Sequence, residues 1–294
     1  MELKKIFMLD AYSIHDRFNN PEDMLVDRKR NRILVADTNN HKIHLFTRDG
    51  FPAGQVGFKN ELEFPVRIGI SSKGILYVFE GTTQLIKRFG SKLEPLENLD
   101  VSGLLPEEKQ NESKKEKKIV PSLFFLDSRD NFYLADEEQH IFVFSKEETF
   151  LFSVNGEQIK SNPFKHIVDI QITTEGEMVV LDKGRTQALI QIFDKKGKFI
   201  RAFGKKGEGF SDLSSPVSVS VDRQNRIWVV DEGCQCIKVF EKTSLYLFSF
   251  GGLGSPVEFF YPRRVCFYDF GRVYILEKGA GKVSVYEIYG TLPP

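Results

Sequence analysis

The sequence predicts an all-β fold, a six-bladed β-propeller of four-stranded antiparallel blades with an N-terminal strand closing the last blade. Three observations carry this. An apolar run ending in an acid recurs six times: RILVAD to Asp37, ILYVFE to Glu80, FYLAD to Asp136, EMVVLD to Asp182, RIWVVD to Asp231 and RVYILE to Glu277. The acids stand 43, 56, 46, 49 and 46 residues apart, which suits one four-stranded blade per repeat. The same companions flank each run at fixed offsets. Finally, the strands do not balance at the ends, since the last repeat lacks a fourth strand and the N-terminus has one to spare.

The elements follow in chain order. A proline opens an alternating apolar strand at Pro21–Asp27, Pro65–Ser71, Pro121–Asp127, Pro216–Asp222 and Pro262–Tyr268. The fourth repeat keeps the strand as HIVDIQIT without the proline. Alternation of period two bounded by Gly, Asn and Asp is what strands joined by tight turns require. The second strand, ending in the acid, is almost continuously apolar, as expected of a strand buried on both faces between adjacent blades. A third strand ends in an aromatic: KIHLF, LIKRF, HIFVF, LIQIF, CIKVF and KVSVYE. Turns such as RDG and KKG then lead to a more polar outer strand, seen in KFIRAFG and LYLFSFG. The sixth repeat stops at TLPP, where Pro293 and Pro294 cannot continue a ladder. The strand Lys4–Asp10 has no other place than beside Val283–Ile288, where it removes two open edges. One charged stretch, Pro106–Lys118, breaks the rhythm between the second and third repeats and reads as a solvated loop. Residues 1–294 are thus expected to form one domain.

The pattern of proline, apolar strand, acid, apolar strand ending in Asp, polar loop, strand ending in Phe and glycine turn resembles the NHL repeat. Its fullest copies are PEDMLVDRKRNRILVADTNNHKIHLFTRDG and PVSVSVDRQNRIWVVDEGCQCIKVF. Repeats two, four and six are degenerate, with Ser71 and Glu80, no proline, and Tyr268 and Glu277 respectively. The resemblance implies the six-bladed fold and leaves function open, because one scaffold hosts many activities. Related propellers include peptide-amidating lyases with a histidine-bound zinc, lactonases and esterases with a channel cation, and RNA-binding proteins.

Composition narrows these classes. Lys+Arg and Asp+Glu both number 41, so no net basic field draws a nucleic-acid backbone, and nucleic acid is not an expected partner. No run of about 18 apolar residues is present to span a bilayer. The start, MELKKIFMLDAYS, is not shaped like a signal peptide, so a soluble protein is expected, either cytoplasmic or exported with its leader trimmed. Cys234, Cys236 and Cys266 do not make a disulfide framework. The first two are too close along a strand to bridge comfortably; free thiols, or one pair with Cys266, are the expectation. A monomer without cofactor is expected.

Two sets of residues stand out. The six acids, Asp37, Glu80, Asp136, Asp182, Asp231 and Glu277, form a ring near the face where the blade-to-blade loops emerge. Because they recur in every blade they are read as structural, each accepting hydrogen bonds from loop amides. Two residues past the start of each inner strand the repeat varies: Asp23, Arg67, Leu123, Asp169, Ser218 and Arg264. Asp23, Arg67 and Arg264 are expected to converge at the channel mouth, with Asp169 on the opposite side. Two guanidiniums beside one carboxylate favour an anion there. Since they line a channel rather than the core, Arg67 and Arg264 are expected to be replaceable by Met without loss of fold. No zinc set emerges from His15, His41, His44, His140 and His166; FGKKGEGF (Phe203–Phe210) is read as a turn. No catalytic residue and no metal ligand is assigned. The function expected is a non-catalytic binding or scaffold propeller that presents its loop face and channel mouth to a protein, a peptide or a small anionic ligand. The alternative is a metal-dependent hydrolase or lyase at that mouth, lactonase-like or amidating-lyase-like.

Overall fold

The computed structural model describes residues 2–13, 15–58, 61–105, 119–155, 163–268 and 271–289. They form six four-stranded antiparallel sheets and one small hairpin, Ala11–Ser13 with Asp16–Arg17. Blades one to five run consecutively along the chain, over residues 21–56, 65–99, 121–154, 167–205 and 216–251. The sixth is Pro262–Phe267, Arg272–Glu277 and Lys282–Tyr289, completed by the N-terminal strand Glu2–Leu9. That closure pairs Glu2 with Tyr289 and Leu9 with Val283, so the closing strand begins and ends slightly earlier than the sequence suggests. No helix among the described residues is long and apolar enough to cross a membrane. The charged stretch at Pro106–Lys118 lies outside the described residues.

Each interface between neighbouring blades holds its own apolar cluster. Ile33, Val35 and Phe46 of blade one meet Tyr274, Leu276 and Val283 of blade six, and Trp228 of blade five packs with Val273 and Ile275 of blade six. The second strands are buried from end to end in blades three, four and five, because both their faces press on a neighbour. Gly69 on the inner strand of blade two allows blade three to approach: a Cβ there would stand 2.9 Å from Leu126 Cβ.

A feature of all six inner strands positions the candidate site. The residue after the opening position is an extra one in the ladder, giving a bulge at Glu22, Val66, Ser122, Val168, Val217 and Arg263. A bulge bends the strand and re-aims the side chain that follows. The re-aimed residues are the variable set, Asp23 through Arg264.

Two local expectations are corrected. Phe203–Lys205 of the glycine-rich segment belongs to the outer strand Phe199–Lys205, and only the remainder is connection. Cys234 and Cys236 are bonded to each other and Cys266 is free. The pair can close because Cys234 lies in the turn ahead of the strand Cys236–Phe240. Gln235 between them adopts φ 52°, a left-handed kink that brings the two Cα atoms to 5.2 Å, within disulfide reach.

Candidate functional site

The six acids clamp the loop face. Asp37 Oδ1 accepts the Asn19 amide at 2.7 Å, and Glu80 Oε1 that of Glu63 at 2.6 Å. Asp182 takes the amides of Lys165 and His166, Asp231 those of Ser214 and Ser215, and Glu277 that of Phe260. All of these amides sit just ahead of the inner strand of the same blade. In blades two, four, five and six the clamp is double: the residue after the acid donates its N–H to the loop carbonyl, as Gly81 does to Phe64 and Lys278 to Tyr261, both at 3.0 Å. Asp136 differs, bonding the backbone and ring nitrogens of His140. Asp136, Glu138 and His140 bring one ligand atom each within 4.8 Å of one another; the hydrogen bonds inside the group account for that proximity.

Below this ring the channel is crossed by charge. Arg264 Nε meets Asp23 Oδ1 at 2.7 Å, and its Nη1 meets Asp169 Oδ2 at 2.5 Å, so one guanidinium bridges blades one, four and six. Asp23 Oδ2 also accepts the Ile68 amide and Asp169 Oδ2 the Val219 amide, each from the inner strand of the next blade. Arg67 reaches Val168 O and Val66 O. Burial works against the Arg264 charge, but the Asp169 and Asp23 carboxylates outweigh it and hold the guanidinium protonated. Its pKa lies above the ordinary arginine range. Arg67 is pushed down to about 10, first by burial and then by the Arg264 guanidinium. Asp23, Asp169 and Arg264 are 3%, 2% and 5% exposed, so this is a buried layer. Asp169, in blade four across the ring from blade one, is joined to Asp23 through Arg264. Two arginines face two aspartates, which leaves no surplus positive charge. On the loop side Glu22 pairs with Arg263 at 2.7 Å and with Lys278. Burial raises the Glu22 carboxyl, and Arg263 and Lys278 more than offset that, holding it below the usual range.

The loop face carries a feature that the sequence reading missed. Phe58, Phe64, Leu85, Phe210, Leu253, Phe260 and Tyr261 are exposed large apolar residues, all in blade-to-blade connections or second-to-third-strand loops. Phe64 and Tyr261, each directly before the proline of its blade, have φ 44° and 49°. A bulky residue rarely adopts that region, and it persists only where its surroundings over-determine it. Here the acid and the following amide grip the loop from both sides. Beside Tyr261 lies a pocket of about 510 Å³ lined by Asn19, Asn20, Asn39, Glu232 and Lys278. The sequence signal was present as Phe64-Pro65 and Tyr261-Pro262, large aromatics at turns where polar residues are the norm.

Comparisons with known proteins agree with this architecture. A family model described as a 6-bladed beta-propeller matches residues 157–250, and the NHL repeat model matches residues 18–46. The human E3 ubiquitin-protein ligase NHLRC1 is 36% identical over 66 residues, 22% of this chain and 16% of that protein. Protein brain tumor of Drosophila melanogaster is 28% identical over 134 residues, 45% of this chain and 12% of that protein. The chain therefore spans only a small part of the length of these relatives. Among solved structures, a catalytically inactive virginiamycin B lyase from Staphylococcus aureus with quinupristin aligns at TM-score 0.61 and 13% identity. That alignment covers 92% of this chain and 80% of that one. A Xanthomonas campestris gluconolactonase aligns at TM-score 0.65 and 11% identity, covering 95% and 87%. At such identities the likeness is one of fold. Sequence repeat, strand order and ring closure agree that this chain is a six-bladed β-propeller, with a match to the NHL repeat over residues 18–46.

Proposed function

We propose that this chain is a non-catalytic binding propeller whose loop face recognises a segment of a protein or peptide partner. The observation that carries the reading is the set of exposed aromatics on that face, two of them held at strained left-handed positions by the acid clamps. Strain kept in place by repeated hydrogen bonds points to a surface with a use, and rigid aromatics are the residues that anchor protein contacts. The buried charge layer supports the same reading. In a lactonase-like or lyase-like alternative the channel carboxylates serve a cation, but here Asp23 and Asp169 are already engaged by Arg264. The layer is balanced and buried, so the anionic ligand expected at a channel mouth gives way to a partner on the loops.

The test is affinity selection of a displayed peptide library against the intact protein, followed by titration of the enriched peptides. Phe64→Ser with Tyr261→Ser is expected to weaken them by about 2 kcal/mol, roughly thirtyfold in Kd. Phe51→Ser, in a turn at the other end of blade one, should leave them unchanged. Peptides indifferent to the double variant would overturn the loop-face reading.

A further inference from the structure

Beneath the charge layer, on the side away from the loops, the channel widens into a cavity of about 420 Å³. Five inner strands contribute their sixth residue to its wall, Val26, Ile70, Leu126, Val221 and Phe267, all half-buried; blade four supplies Gln171. The cavity reaches the exposed turn residues Lys29, Ser72 and Ser128, so it addresses the opposite face from the aromatics. Its rim is tied rather than loose. Arg28 Nη2 donates to Phe267 O at 2.9 Å, Lys29 Nζ to Ser72 O at 2.8 Å and Arg30 Nη2 to the same carbonyl at 2.9 Å.

The inner end of this cavity is polar and incompletely satisfied. Arg67 lines it, and its buried Nε has no hydrogen-bond partner. Its Nη1 and Nη2 are taken up by the carbonyls of Val66 and Val168, so the Nε–H is the donor left over. Buried donors are seldom left unmet, and each such group calls for an explanation. Charge decides what can meet the Arg67 donor. Asp23 and Asp169 balance Arg264 and Arg67, so a ligand carrying a full charge would unbalance a layer in which Asp23, Asp169 and Arg264 are almost fully buried. A neutral oxygen satisfies the Arg67 N–H without that cost. An apolar collar between a polar inner end and a charged rim, at this volume, suits a small molecule that has both an apolar body and a polar group.

We propose that the lower channel binds a small uncharged amphiphile, with its alcohol or carbonyl oxygen on Arg67 and its hydrocarbon body against the collar of Val26, Ile70, Leu126, Val221 and Phe267. This site is independent of the loop-face reading and lies at the other end of the ring. Isothermal titration of the full chain with 1-octanol, octanoate and octylammonium tests it. The expected result is saturable binding of 1-octanol with the two ions weaker by roughly tenfold or more. Ile70→Trp, which fills the cavity, should abolish binding, and Arg67→Met should weaken 1-octanol by roughly tenfold with the thermal transition retained. If Ile70→Trp does not fold, Val221→Phe from the far wall replaces it. The proposal is overturned if none of the probes binds saturably, if octanoate binds as well as 1-octanol, or if the filled variant binds unchanged.

Discussion

Arg264 is the residue on which the channel depends. Its guanidinium satisfies two buried carboxylates at once, and those carboxylates in turn hold the inner-strand amides of Ile68 and Val219. Removing it leaves two buried carboxylates without a direct ion-pair partner, facing only the more distant Arg67 charge. Arg264→Met is therefore expected to cost about 3–5 kcal/mol, the range for breaking a buried ion pair from one side. Arg67→Met removes bonds to the carbonyls of Val66 and Val168 and one of the layer's two positive charges, but breaks no direct ion pair, and should cost less, about 1–2 kcal/mol. Chemical denaturation of the two single variants distinguishes them; equal losses would show that the bridge is not what holds the layer. The earlier expectation that both arginines can be replaced without harm to the fold is revised accordingly. It rested on their place in a channel and did not count Asp169 as a partner.

At the scale of the element, the recurring acid works as a fastener between the second strand and the loop that precedes its own blade. Asp231 shows this plainly: it is fully buried, accepts the Ser214 and Ser215 amides at 2.7 Å each, and sits beside Gly233 N at 3.2 Å. Asp231→Ala orphans those donors and is expected to destabilise by about 1–3 kcal/mol. Hydrogen exchange should locate the loss, with faster exchange at Ser214 and Ser215 and little change in the second strand of blade five. Uniform loosening across the blade would count against a local fastener. Blades two and six use the longer Glu for the same task, and these are the blades in which the residue before the proline is a left-handed aromatic.

For the whole molecule the ring is as secure as its one non-consecutive seam. Glu2–Leu9 lies along Lys282–Tyr289, and Leu9 adds to the cluster between blades six and one while Leu3 packs on that between five and six. Deleting residues 1–9 leaves the outer edge of the last blade unpaired, a template for pairing with other chains. The expected outcome is a lower thermal midpoint together with concentration-dependent association in light scattering. A truncated chain that associates no more than the intact one, with an unchanged midpoint, would mean that the seam is dispensable. The two ends of the ring also differ in chemistry. The loop face is aromatic and clamped, whereas the turn face opens on an apolar cavity, so the charge layer between them isolates two separate surfaces.

Blade number, strand order, the buried second strand and the closing strand were all legible in the sequence. The first three are set by a local pattern repeated six times, and a period-two alternation with fixed turn residues needs no knowledge of distant partners; the closing strand follows from the strand count at the two ends. The variable inner-strand residues could be picked out the same way, as departures from the repeat. Their arrangement could not. Whether Asp169 stands apart or shares a guanidinium with Asp23 depends on the bulge that re-aims each side chain and on an arginine long enough to cross the channel. Arg264 joins residues 241 and 95 positions away. The Cys234–Cys236 bond likewise rests on the left-handed Gln235, and the display of Phe64 and Tyr261 on loops gripped from two sides. Those features belong to the tertiary structure, because backbone conformation at a single residue and contact across a ring are decided by closure and packing rather than by periodicity.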